Sequence, residues 1–152
     1  MNDTMKGLGR FVEAQQPVYT TVYQELEAGN KQSHWMWFVF PQMRGLGRSS
    51  MAERYGLASA AEAAHYWQHP LLGPRLKDCT ELMLAITGKS ALDILGSPDD
   101  MKFHSCMTLF AQVVPSEAVF NRALVRFFRG CADERTQALL KPPGSSADEP
   151  VG

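Results

Sequence analysis

The chain has 152 residues, fifteen of them basic and sixteen acidic, for a net charge of −1. That length suits one domain with a real core, and the neutral balance supplies no field to draw nucleic acid or anionic lipid. No apolar run approaches the roughly 18 residues that span a bilayer. The expectation is therefore a monomer or small homo-oligomer with neither a nucleic-acid nor a membrane partner. The opening MNDTMKGLGR lacks the apolar segment of a secretion signal, which leads to an expected cytoplasmic location.

Leu8, Phe11, Val12 and Gln15 recur at helical spacing and predict a helix over about 5–16. Pro17 interrupts it and fits a first helical position, so a second helix is predicted from there to about Ala28. Its inward face is Tyr19, Val22, Tyr23 and Leu26. Gly29 and Asn30 end it.

Lys31 to Gly47, KQSHWMWFVFPQMRGLG, is the organising stretch. Trp35 to Phe40 are six consecutive large apolar residues, and this run fits a buried strand or a buried helix equally. No partner strand is evident, and Ser33 is placed as an N-cap, so a helix is preferred. Pro41 ends it.

Ser50 with Glu53 predicts a capping box for a helix over 51–55, and Ser59 with Glu62 for one over 60–68. After His69-Pro70 a long helix is predicted over 71–87, with Leu72, Leu76, Cys79, Met83 and Ile86 on one face. Ser90 caps a short helix ending at Gly96. Ser97-Pro98-Asp99-Asp100 combines a cap, a proline and two acids at the positive helix end, and predicts a helix to about Val114. A further helix turns Phe120, Leu124, Phe127 and Phe128 inward. The last one covers 133–140. The expected architecture is all-α, seven to nine helices within residues 1–140, followed by a disordered Pro-, Gly- and Ser-rich tail over 141–152.

Cys79, Cys106 and Cys131 are too few and too scattered for a disulfide framework or a zinc site. Buried, reduced thiols are expected, with a nucleophilic Cys106 as the alternative. His65 and His69 are four apart, but no third ligand lies at useful spacing, so neither a metal nor another cofactor is expected.

LGRFVEAQ at Leu8 to Gln15, SHWMWFVFPQ, HPLLGPRL and GSPDDMKFHSCMTLF together resemble the uncharacterised bacterial family catalogued as domain of unknown function 1810. The resemblance spans about residues 8–140. It implies a mainly α-helical fold and brings no established activity. Some members have been labelled calpastatin-like, but nothing in this chain resembles the repeated inhibitory segments of that name. The family usually carries two serines before MTLF, and here Ser105 is followed by Cys106, so a nucleophilic Cys106 is not shared chemistry. DDMKF at Asp99 to Phe103 is also similar to a helix opening in helical proteins that process N-glycosidic bonds of riboflavin intermediates or ADP-ribose-like nucleotides. The glutamate-histidine string of those proteins has no counterpart here.

Two clusters are candidates for function. In the first, Trp35 and Trp37 offer rings to stack on a nucleobase, Lys31 and Arg44 offer cations for phosphate, and Ser33, His34 and Gln42 offer polar contacts. In the second, Lys102 and Ser105 share one helix face, beside Asp99, Asp100 and His104. Lys102 and His34 are the candidate catalytic groups, as a cation and a general acid or base. The expected partner is a small nucleotide-like ligand, bound or hydrolysed, with N-glycosidic cleavage the most specific form. The plainer reading makes the aromatics core and the acids complements of the helix dipole. A third reading is a protein-interaction module with an exposed Trp/Phe patch.

Overall fold

The computed structural model describes residues 3–141, and side chains from Gly7 onward. The expected tail, beyond Lys141, lies outside the described residues. Ten helices follow in order: α1 (Asp3–Gln15), α2 (Tyr19–Glu27), α3 (Met36–Val39), α4 (Ser50–Tyr55), α5 (Ala60–Gln68), α6 (Leu72–Ala85), α7 (Ala91–Leu95), α8 (Asp99–Val113), α9 (Ala118–Phe128) and α10 (Glu134–Leu140). The fold is all-α. Among the described residues each stretch read as helical forms its own helix, which makes one more than the expected seven to nine. One isolated parallel bridge joins Met43 to Leu57. Among the described residues no helix is long and apolar enough to cross a membrane.

Helix α8 is the axis. Phe103 and the run from Ser105 to Ala111 are all buried, so the helix is covered on nearly every side, as expected for a core helix. Helices α5, α7, α9 and α10 supply that cover. Cys106 lies fully buried within it, and burial pushes its thiol well above the usual range. A thiolate nucleophile is therefore disfavoured there. Cys79 is buried as expected, but Cys131 is exposed.

Local signals set most boundaries. The Ser59 hydroxyl accepts from Glu62 N at 3.1 Å, and Ser90 with Asp93 forms a reciprocal capping box. For α4 the cap is Ser49, not Ser50, and its hydroxyl accepts from Ala52 N. Helix α2 begins at Tyr19 rather than Pro17, because Val18 N closes a turn on Gln15 O. On α2, Val22 and Leu26 are buried while Tyr23 is exposed.

The Trp-rich stretch is helical, as preferred over a strand, but departs from expectation in its length and cap. It forms one helical turn, and Ser33 does not cap it. So short a helix leaves its carbonyls without internal partners. Gln15 Nε2 donates to Phe38 O at 2.6 Å, and the Tyr66 hydroxyl reaches the same oxygen at 3.3 Å. Arg75 in turn donates to Gln15 Oε1. Helices α1, α5 and α6 thus hold the C-terminal end of α3 in place.

Candidate functional site

The loop between α2 and α3 is built on Glu25. Its carboxylate accepts from the amides of Gln32 and Ser33, from the Ser33 hydroxyl at 2.6 Å and from the Trp35 indole at 2.9 Å. Partial burial raises the pKa of this carboxyl, but the four hydrogen bonds outweigh it and bring the value down to about 2. Charge-assisted bonds of this kind are the strong ones. Sequence reasoning missed Glu25, which sits on the preceding helix and carries no motif.

This anchoring separates the two tryptophans. Trp35 is 1% exposed and packs in the core against Phe40. Trp37, two residues on, remains partly exposed. Lys102 from α8 places its ammonium 4.5 Å from the centre of the Trp37 ring, within cation–π range.

Asp99, at the start of α8, joins the two clusters. Its Oδ2 lies 2.7 Å from Lys31 Nζ and its Oδ1 lies 3.6 Å from Lys102 Nζ. Lys31 is almost fully enclosed. It also donates to Ser33 O at 2.6 Å and lies over the Trp35 ring. Lys31 is therefore a fixed charge that neutralises Asp99. Lys102 makes only the longer contact and is the cation left to meet a ligand. The three groups together carry +1.

A cavity of about 340 Å³ lies here, lined by Lys31, Ser33, His34, Trp37, Asp99 and Lys102 among others. A second, of about 300 Å³, is lined by Gln42, Met101, Lys102, His104, Ser105 and Arg135 among others. Pro98 and Lys102 belong to both walls. A cleft of about 10 Å³, lined by Trp37, Gln42 and Lys102, touches the same side chain. Larger hollows exist, about 650 Å³ between Leu84 and Arg126 and about 550 Å³ between Gln112 and Lys141, but they are more open and lined without aromatic rings.

The expected site residues thus divide. Lys31, Ser33, His34, Trp37 and Lys102 come together in one cavity, and Gln42, Ser105 and Lys102 in the next. Trp35 faces the core instead. Arg44 is exposed and donates to Gly56 O, apart from both cavities. The Ser105 hydroxyl is committed to Met101 O and Asp133. His104 stacks on Phe128 and bonds Cys131 O, so its ring braces the start of the α9–α10 segment. His69 Nδ1 accepts from the amides of Leu71 and Leu72, a role in opening α6. Burial lowers its pKa. Among the described residues no group of three or more His, Cys, Asp or Glu is arranged to hold a metal ion. Of the three aromatics that the interaction-module reading would expose, Trp35 and Phe40 are each 1% exposed, and Trp37 alone keeps part of its ring at the surface.

A family model described as a protein of unknown function, DUF1810, matches residues 5–140. The chain belongs to that family. It is also similar to the conserved hypothetical protein Rv1873 from Mycobacterium tuberculosis, known from a crystal structure, with 53% identity over 88% of this chain and 95% of that one, and a TM-score of 0.86. No curated protein matches the chain.

Proposed function

We propose that the Trp37–Lys102 cavity binds a small anionic molecule carrying a flat ring, of the nucleotide or ADP-ribose class. The observation that supports this is the pairing of a partly exposed indole with a lysine whose charge is only loosely matched. A ring stacks on the indole face, and an adjacent phosphate finds the ammonium. The volume, about 340 Å³, falls within the usual range for small-molecule sites.

Hydrolysis of an N-glycosidic bond is the specific chemical form of this reading. His34 would give a proton to the leaving base, and Lys102 would hold the anion. Asp99 is poorly suited to stabilise a developing cation, because two ammonium groups already share its charge. Binding is therefore better supported than cleavage. An interaction module has less support, since Trp35 and Phe40 are buried and only Trp37 is left to anchor a partner.

A thermal-shift screen with NAD, ADP-ribose, nucleotides and flavin precursors tests the reading. A true ligand at a hundredfold excess over its Kd raises Tm by about 5–10 °C, and Trp37→Ala abolishes the rise. No shift with any of them contradicts it.

A further inference from the structure

We propose that the ligand has two arms, with its anionic centre at Lys102, a ring on Trp37 and a second polar arm in the cavity that ends at Arg135. This rests on the ring-site reading above and extends it to the second cavity.

Each cavity, at about 340 and 300 Å³, suits one nucleoside-sized group and not two. They share the walls of Pro98 and Lys102. The lysine side chain is therefore the partition. Its ammonium is tethered only by the 3.6 Å contact to Asp99 and by the Trp37 ring. A flexible stem lets that charge serve an anion lying across the divide.

The second cavity has its own polarity. Asp133 Oδ2 is consumed by Thr136 N, the Thr136 hydroxyl and the Ser105 hydroxyl. Among the described residues no carboxylate forms an ion pair with Arg135, whose guanidinium donates to Leu46 O and keeps further donors free. With the Gln42 amide and the Asp133 carboxylate also on its wall, the lining favours an arm rich in hydroxyls, which both donate and accept. The ligand class that fits both ends is a pyrophosphate with a ring on one side and a sugar or second nucleoside on the other.

Calorimetric titration of the full chain with AMP and with ADP-ribose tests this. AMP fits the Trp37 cavity alone, whereas ADP-ribose spans both. The expected result is at least tenfold tighter binding of ADP-ribose. Arg135→Ala and, separately, Gln42→Ala remove most of that advantage, and Arg135→Ala leaves AMP unchanged. Arg135 is exposed, and Gln42 keeps its backbone bond from Leu57 N, so both variants fold. Equal affinities, or an advantage that survives both substitutions, overturn the second arm and leave the ring site standing. Failure of both probes to bind overturns the two readings together.

Discussion

Lys102 sets its ammonium 4.5 Å from the centre of the Trp37 ring. Trp37 packs against the core but keeps part of its ring exposed, and Lys102 lines both cavities. Trp37→Ala and Lys102→Gln are each expected to leave the far-UV spectrum unchanged. Stability falls by about 1 kcal/mol for Lys102→Gln, the scale of one exposed cation–π contact, and by about 2 kcal/mol for Trp37→Ala, which also gives up apolar area packed on the core. Nucleotide affinity falls at least tenfold. Denaturant unfolding and calorimetric titration read the two effects separately.

Asp99→Asn raises the local charge from +1 to +2. An added unit charge about 6 Å from a bound phosphate is worth about 1 kcal/mol in a largely aqueous groove, roughly a fivefold gain in AMP affinity. The same change leaves the enclosed Lys31 without its carboxylate. Stability is expected to drop by about 1–3 kcal/mol, less than for a fully buried pair because Asp99 keeps some exposure. Tighter binding by a less stable protein is the signature.

Glu25 is held at about 2 in the folded chain against 4.5 when free. A carboxyl depressed on folding contributes stability that is full above the unfolded value. That stability is lost as pH falls from about 4.5 toward 2. Glu25→Gln is expected to cost about 1–3 kcal/mol at pH 7, because the Trp35 and Ser33 donors lose a charged acceptor. It also flattens the acid limb of the stability profile. Urea midpoints between pH 2.5 and 7 measure both.

Gly73 sits where α6 starts against the end of α5. A Cβ there would stand 1.9 Å from Trp67 O, so backbone would have to move. Gly73→Ala is expected to cost about 3 kcal/mol or more. Gly9, in the middle of α1, has nothing within 4 Å of an added Cβ. Gly9→Ala is expected to stabilise by about 0.5–1 kcal/mol. Paired urea titrations give the contrast.

What the residues disclosed and what they hid differ by range. Capping at Ser59 and Ser90 was legible because both partners lie within one turn. The α4 cap was misplaced by one residue because Ser49 and Ser50 offer the same chemistry side by side. For the Trp-rich turn the preference for helix over strand holds, but its length and cap were not legible. Its geometry is set by Glu25, Gln15 and Tyr66, partners on other helices that no periodicity reveals. The Trp-block residues and the Lys102 helix were foreseen as two candidate clusters, and Lys102 lines one cavity with Lys31, His34 and Trp37 and another with Gln42. The division between Trp35 in the core and Trp37 at the surface was not foreseen, because the two are identical in type and only the fold tells them apart.

The most direct measurement is a ¹H–¹⁵N titration that follows the indole N–H signals of the three tryptophans as AMP is added. The Trp37 signal is expected to shift progressively, while that of Trp35, bonded to Glu25 in the core, stays fixed. An unchanged Trp37 signal at saturating AMP, ADP-ribose and NAD would contradict a ring site at Trp37.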